Sequence, residues 1–561
     1  MPGRVYRSEH ARRTAPADPG AAPSPAPEAP AEEQGSAAGH SAVMALGSLV
    51  SRLTGFLRTV VIAAALGSTV VGDAYTTAQW FPGMVYELLL GGILTSVLVP
   101  VLVRARKAEP DRGEAYTQRL VTLAVLALGA TAVLAVAGAP LLVWVSRTDA
   151  PGLVTALSYL ILPTIFFYGL AGVLTAVLNT RGHFAAPMWA PILNNLVVIG
   201  TFGLYLLVYG AERLTPEQMD AGRIGLIGGG TLLGIVVQAA GLLPALRRVG
   251  FRMRWRFDFA ALRLRELGRL GAWMFCYVTV NQVSVLVVLS LINAGGAGAG
   301  LLIFNQVYLL LMMAHGIVGV SIIMALLPRM SAAAADRRYE DLVDDLSKGA
   351  RMAAAVLAPI AVMYVVLALP IATTLFQWGI FDADASRATA PVLVMAGLAL
   401  VPFSLSQLLM FAFYALPDTK TPALVNVGAV GLRIAVQLGI FLAFAASAVA
   451  AGMMLGNGIS YLAAVLLLGV LLRRRLGPLG LRRIGSSLGR VAVAAAGAAV
   501  AGLLVLWLLP GDAEPTKLGA AVQLLAGAMA VGGVYLGLAA LLRINEVNEV
   551  LALVRSKIFR G

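Results

Sequence analysis

Charge is what this sequence has least of. Only 12% of its 561 residues are Asp, Glu, Lys or Arg, about half of the roughly 25% with which soluble domains cover their surface. Cysteine is nearly absent. The single Cys276 excludes an intramolecular disulfide and any cysteine-based metal cage, and its apolar neighbours Phe275 and Tyr277 mark it as packing. Histidine is almost as scarce: His10, His40, His183 and His315 are all there are. No Walker A run and no His-Glu-x-x-His pair occurs, so nucleotide hydrolysis and zinc chemistry have no motif to rest on. The chain is read as a non-enzyme without a cofactor, and any transport it performs must draw on a gradient or a potential. What it has in abundance is apolar residues, 59% of the total, with a mean hydropathy of +0.84. One anchor helix cannot produce such a value over this length, so the chain is a polytopic membrane protein.

The net charge of +14 raises nucleic acid as a partner, but the basic residues form short clusters between apolar runs and no continuous face. They read as topology. Residues 1–40 are rich in Pro, Ala, Gly and Glu without apolar periodicity and are expected to be a disordered cytoplasmic tail, not a signal peptide. Apolar segments then follow near 41–66, 74–103, 116–146, 152–178, 186–210, 224–246, 268–293, 299–328, 348–376, 387–415, 421–446, 448–472, 486–509 and 517–542. Each meets the length of around 20 helical residues that a 30 Å hydrocarbon core requires. Barrel strands would alternate polar and apolar residues and these do not, so the fold class is an all-α membrane bundle of about fourteen helices. With the tail inside, alternate loops collect Arg104, Arg106, Lys107 and Arg112, then Arg181, then the run Arg247 to Arg265, then Arg329, Arg337 and Arg338, Lys420, Arg473 to Arg483, and Arg555, Lys557 and Arg560. The other loops hold few cations and many acids, among them Asp149, Glu212, Asp220, Asp382 and Asp512. This positive-inside pattern places both termini in the cytoplasm.

An internal repeat supports two lobes. The fourth segment carries Leu162-Pro163 and ends at Asn179-Thr180-Arg181 before Pro187; the tenth carries Val401-Pro402 and ends at Asp418-Thr419-Lys420 before Pro422. Gly91 with Pro100 in the second segment and Gly319 with Pro328 in the eighth stand at equal spacing. Units of six helices cross an even number of times, so the halves share one orientation and are related by an axis along the membrane normal. The expected boundaries are 1–40 for the tail, 41–250 and 251–473 for the lobes, and 474–561 for two further helices and a cytoplasmic C-terminus. Prolines at Pro82, Pro100, Pro163, Pro187, Pro191, Pro328, Pro359 and Pro402 allow bends.

Ionisable residues within the segments are the functional signal, because each costs at least about 2.5 to 3.5 kcal/mol at mid-helix unless it faces a partner or a wet cavity. Arg52 and Arg58 lie in the first segment. Six residues set them about 9 Å apart along the axis and about 120° apart around it, suited to lining a cavity for an extended anion. An ion pair with Asp73, at the start of the second segment, is the structural alternative. Glu87 lies mid-helix and would tune or neutralise such a cavity by pairing with Arg52 or Arg58. Arg433, in the eleventh segment, contacts an anion, a lipid headgroup or a bundle carboxylate. Gln79, Asn194, Asn195, Asn281, Gln282, Asn305, Gln306 and Gln407 add polar groups, some of which only tie helices together. His315 is read as a bundle hydrogen bonder.

Several motifs together resemble one family. Ser51-Arg52-Leu53-Thr54-Gly55-Phe56-Leu57-Arg58, Gly72-Asp73-Ala74, Leu178-Asn179-Thr180-Arg181 with Phe184 and Pro187, Asn281-Gln282-Val283-Ser284, Leu327-Pro328, Leu375-Phe376-Gln377-Trp378-Gly379 with Phe381, and Phe413-Tyr414 followed by Asp418-Thr419-Lys420-Thr421-Pro422 look like the MurJ (MviN) lipid II flippases of the multidrug, oligosaccharidyl-lipid and polysaccharide exporter superfamily. The resemblance covers segments one to twelve in order. It implies fourteen helices, two six-helix lobes around a cationic cavity, and movement of the undecaprenyl-diphosphate-linked peptidoglycan precursor to the outer leaflet of a bacterial plasma membrane. It implies further that the last two helices form a groove for the lipid tail, and that Arg52, Arg58 and Asp73 are cavity positions. The chain departs from many members at Tyr86 and Glu87, where they carry an Arg pair, at Gly91, where they carry Glu, and at Leu309 and Met312, where they carry Arg and Glu. That shifts the work onto the first helix and Arg433. The expected partners are the lipid-linked precursor, membrane lipids and cell-wall synthesis proteins. Two rivals are an exporter of another polyprenyl-linked glycan and a non-transporting scaffold for cell-wall synthesis.

Overall fold

The computed structural model describes residues 31–88, 102, 106, 109–111, 113–262, 264–296, 300–509 and 516–547. Among them there is no strand, as a chain that must satisfy its backbone inside lipid requires. The helices are α1 (Ala31–Leu66), α2 (Val70–Tyr86), α3 (Glu114–Ala137), α4 (Ala139–Ser146), α5 (Pro151–Ile161), α6 (Thr164–Thr180), α7 (Ala185–Tyr209), α8 (Ala221–Ala240), α9 (Leu243–Arg248), α10 (Leu264–Ala294), α11 (Leu301–Ala335), α12 (Tyr339–Val366), α13 (Ala368–Phe376), α14 (Ala383–Ala415), α15 (Lys420–Ala443), α16 (Val449–Leu476), α17 (Leu481–Leu508) and α18 (Lys517–Leu541). Thirteen helical stretches are long and apolar enough to cross a bilayer. Of the second expected crossing, 74–103, residues 89–101 and 103 fall outside the described residues, Gly91 and Pro100 among them. The protein is a multi-pass membrane protein, and its outward leucines, such as Leu207 and Leu442, are the surface that lipid covers.

Helix boundaries differ from the sequence expectation in ways that local chemistry explains. α1 begins at Ala31, ten residues before the expected start at 41. The run Ala-Glu-Glu-Gln has high helix propensity and simply extends a helix that the membrane segment has already nucleated. The rest of the expected tail, 1–30, lies outside the described residues. Of the prolines singled out, Pro163 interrupts a crossing, between α5 and α6, whereas Pro82, Pro191, Pro328, Pro359 and Pro402 sit inside continuous helices. Other breaks fall at Gly138 and Leu367, each followed within three residues by a proline in the first turn of the next helix, Pro140 and Pro370. Proline has no amide proton to lose there. Outside the spans, acids and threonines act as caps: Asp220 accepts the Arg223 amide, Asp382 the Ala385 amide and Thr516 the Gly519 amide, satisfying donors that a helix start leaves free.

The two matching turns of the sequence repeat have the same build. α6 and α14 each end just before a short turn into a helix with proline at its third position, Pro187 in α7 and Pro422 in α15. Asp418 accepts the amide and hydroxyl of Thr421 and pairs with Arg475 at 2.7 Å. Burial raises the Asp418 carboxyl, but these bonds outweigh it and hold the group below its ordinary range. The Asp-Thr-Lys motif is thus a turn that stays ionised at neutral pH.

Helices α1 to α9 pack among themselves, α10 to α16 likewise, and the hairpin α17–α18 lies on α12 and α13, where the Tyr535 hydroxyl donates to the Ala355 carbonyl and Arg351 pairs with Glu546 at 2.7 Å. The apolar core shows how the two halves meet. At the end of the bundle where α1 stops and α2 starts, one core runs through both, joining Leu66, Tyr75 and Phe81 to Ile292, Leu301, Phe304, Phe376 and Phe381. Toward the opposite end the core divides into two, one around Leu120, Leu174 and Leu246 in the first half and one around Leu326, Leu342 and Leu472 in the second. The halves share one apolar core at the first end and keep separate apolar cores toward the other.

Candidate functional site

Backbone and side-chain bonds lock the closed end. Asn293 donates to the Ser146 carbonyl at 3.0 Å and to the Thr77 hydroxyl at 3.2 Å, and Ser290 donates to the Val145 carbonyl at 2.9 Å. The Ile380 amide donates to the Ala64 carbonyl at 3.0 Å. Arg213 and Asp382 form an ion pair between the halves. Asp73 belongs to this lock: its Oδ1 accepts the Leu302 amide at 2.9 Å, where the positive end of α11 favours a carboxylate. In this arrangement Asp73 stands apart from both places expected for it. It makes no ion pair with Arg52 or Arg58 among the described residues, and it is absent from the cavity lining.

That cavity lies between the halves below the lock, with a volume of about 650 Å³, inside the range of roughly 300–1,000 Å³ typical of ligand sites. Gln79 and Trp80 of α2, Glu87 at its C-cap and Tyr168 of α6 form one wall; Asn281, Tyr308, Gln407 and Arg433 stand among the residues of the other. Trp80 donates to Asn305 across the two walls at 3.3 Å. Glu87 is exposed to the lumen and, among the described residues, pairs with neither Arg52 nor Arg58. Arg433 is half-buried. Its Nε donates to the Ser460 hydroxyl at 3.0 Å and its Nη1 to the Ser284 hydroxyl at 3.3 Å, with the guanidinium 5.3 Å from the centre of the Tyr461 ring. No carboxylate neutralises it among the described residues. Two hydroxyls and an aromatic face fix the plane of the cation and leave its charge for a ligand.

The two arginines of α1 stand elsewhere in this closed arrangement. Arg52 reaches the other half: its Nη2 donates to the Gly316 carbonyl of α11 at 3.4 Å. A methyl group placed on Gly316 would overlap the guanidinium, so the bare glycine is what admits it. Arg58 is half-buried near Tyr75 and Tyr168, and its Nε has no hydrogen-bond partner. It is not among the residues that line the cavity. His315 is bonded to Ser404 at 2.9 Å and packs edge-on against Phe403, as a bundle hydrogen bonder should. Of the polar residues expected to matter, Gln79, Asn281, Gln282, Asn305 and Gln407 line the cavity, whereas Asn195 ties α7 to Ser51 and Thr54 of α1 and Asn194 packs against Gly234. The sequence reading missed the aromatic lining of Trp80, Tyr86, Tyr168, Tyr277, Tyr308 and Tyr461; aromatic residues with polar tips inside apolar segments were the available signal.

A family model described as Lipid II flippase MurJ matches residues 62–513. The chain belongs to this family. Asp73, Glu87 and Arg433 fall within the match, and Arg52 and Arg58 precede it. The Lipid II flippase MurJ of Burkholderia cenocepacia is 29% identical over 442 residues, covering 76% of this chain and 82% of that protein. The Probable lipid II flippase MurJ of Synechocystis is 29% identical over 399 residues, covering 68% and 72%. Among solved structures, "Lipid II flippase MurJ, inward closed conformation" superposes with a TM-score of 0.71 at 18% identity over 90% of this chain and 99% of that one. An inward-facing MATE family transporter of the MOP superfamily superposes at 0.58 with 15% identity over 76% and 95%. These last two likenesses concern the fold.

Proposed function

We propose that this protein flips lipid II, carrying the diphosphate-linked sugar headgroup across a bacterial plasma membrane while the prenyl tail stays in lipid. The observation that carries the reading is a polar cavity walled half by each lobe, holding an unneutralised Arg433, beneath an end where both lobes share one core. Such a body opens to one side at a time if the lobes rock, and the membership of the family names the cargo. The lobes are assigned as 41–250 and 251–473, with 474–561 supplying the outer hairpin. The end where the cores divide carries the arginine-rich loops, and the positive-inside rule supports reading it as the cytoplasmic one, with both termini inside. Arg433 takes the diphosphate first. Arg52 and Arg58 engage when the lobes separate and free Arg52 from Gly316. Asp73 holds the outer end shut until then, and Glu87 keeps the mouth from binding anions without release. An interior negative by 100 mV favours outward movement of each negative charge by about 2.3 kcal/mol, so the headgroup's own charge supplies direction.

The experiment is replacement of the resident gene by an Arg52→Ala variant, followed by labelling of lipid II exposed on the outer leaflet. Exposure is expected to fall at least about tenfold, the consequence of losing one charge-assisted contact, with protein level in the membrane unchanged. A scaffold for cell-wall synthesis would tolerate the change, and undiminished exposure would reject the flippase reading.

A further inference from the structure

The segment joining the two halves, residues 249–262, is built differently from the other turns. From Phe251 to Phe259 arginine and apolar residues alternate: Phe251, Arg252, Met253, Arg254, Trp255, Arg256, Phe257, Asp258, Phe259. No regular element forms over 251–258, yet the backbone is fastened to α3 at several points. The Gln118 side-chain amide donates to the Arg252 backbone carbonyl at 2.8 Å, the Arg256 backbone amide donates to the Thr122 hydroxyl at 3.2 Å, and Arg256 Nε donates to the Gln118 side-chain Oε1 at 2.9 Å. Arg119 grips Asp258 at 2.7 Å and holds its carboxyl below the ordinary carboxylate range. Phe251 is buried beneath the Arg181 guanidinium. A strap so fixed cannot fold its other side chains inward. Met253, Trp255 and Phe257 stay 39%, 59% and 64% exposed, and Arg252 and Arg254 are exposed too, with no ion pair among the described residues.

We propose that this strap is a docking site for anionic phospholipid headgroups of the cytoplasmic leaflet. Its position supplies the occupant. The strap follows directly on the end of the sixth crossing at Arg247 and Arg248 and lies against the first turns of α3, whose Leu126, Val133 and Leu134 farther along are exposed to lipid. It therefore sits at the boundary between hydrocarbon and water. Tryptophan and phenylalanine partition into that layer, and neighbouring arginines pair with its phosphates. Rigid attachment makes the site preformed, so headgroups bind without ordering the chain. The assignment to the cytoplasmic leaflet rests on the orientation given above; the lipid chemistry does not depend on lipid II transport.

The test uses the purified full-length chain in detergent doped with phosphatidylglycerol or phosphatidylcholine, and native mass spectrometry to measure how many lipids stay bound. The wild type is expected to retain phosphatidylglycerol preferentially. The variant Arg252→Gln with Arg254→Gln is expected to lower that retention roughly twenty-five-fold, since each arginine near an anionic surface strengthens binding about fivefold, while phosphatidylcholine retention is unchanged. Equal retention of phosphatidylglycerol by wild type and variant overturns the proposal. A second arm places a fluorophore on W255C in a Cys276→Ser background, which leaves one labelling site. In vesicles of phosphatidylglycerol mixed with phosphatidylcholine the dye is expected to be shielded from aqueous iodide. Full quenching would mean that the strap faces water, leaving a soluble protein as its occupant, and would also overturn the proposal. Because neither arm measures lipid II, loss of the flippase reading leaves both outcomes interpretable.

Discussion

Arg433→Gln is expected to reduce lipid II movement by one to two orders of magnitude without unfolding the protein. A charge-assisted contact is worth about 1.5–3 kcal/mol, which is about tenfold to hundredfold in rate when the contact forms on the way across. The fold should tolerate the change, because the partners keep other bonds: Ser460 donates to the Asn457 carbonyl at 2.9 Å whether or not Arg433 is there. Arg433→Lys is expected to fall between the two. An ammonium restores the charge but cannot reach both Ser460 and Ser284 while lying flat on Tyr461. The measurement is leaflet exposure of lipid II in reconstituted vesicles, with thermal unfolding in detergent as the control. Wild-type rates for Arg433→Gln would remove this residue from the anion path, and with it the observation on which the function rests.

The second large effect is expected at Gly379. Its φ of 58° lies in the left-handed region, where any residue with a Cβ costs about 1–2 kcal/mol. More important is what faces it: a methyl group there would overlap the Ala64 carbonyl oxygen at the end of α1. The obstacle is backbone of the other half, in the same place where the Ile380 amide meets that oxygen at 3.0 Å, so it cannot swing aside. Gly379→Ala should therefore hold the closed end apart, with a penalty on the order of 3 kcal/mol or more, equivalent to about a hundredfold change in the ratio of closed to open. Spin labels on S68C and D384C, in a Cys276→Ser background, should report a longer distance than in the parent, and lipid II movement should stall. A distance distribution identical to the parent's would show that the lobes do not need this contact to close.

Gly379 also explains a motif that sequence alone could only match. The run Gln377-Trp378-Gly379 with Phe381 touches no part of the cavity. Phe376 and Phe381 are fully buried in the shared core and Gly379 lets two backbones meet, so the motif serves closure. Similarly, Asp418-Thr419-Lys420 shapes a turn and its ion pair with Arg475. Arg52 was legible as a buried cation that needed a reason, because the cost of charge in lipid is a property of position along a segment. Its partner was not legible, since Gly316 lies 264 residues away and a carbonyl oxygen leaves no mark in the sequence. The partner of Asp73 was illegible for the same reason: in this arrangement it accepts the backbone amide of Leu302.

That this chain crosses a membrane many times as helices follows from its residue pattern, because the penalty for unpaired backbone in hydrocarbon acts on each apolar run separately and needs no knowledge of its neighbours. The same pattern also marked which residues were too polar to be idle. How these are divided came from the packing of the two halves: Arg433 and Glu87 to the cavity, Arg52 to the contact between halves, Arg58 to the neighbourhood of Tyr75 and Tyr168, and Asp73 to the closed end. That division depends on which helix faces come together across the two lobes, and helices immersed in lipid have no hydrophobic drive that a residue pattern could reveal to choose one apolar face over another.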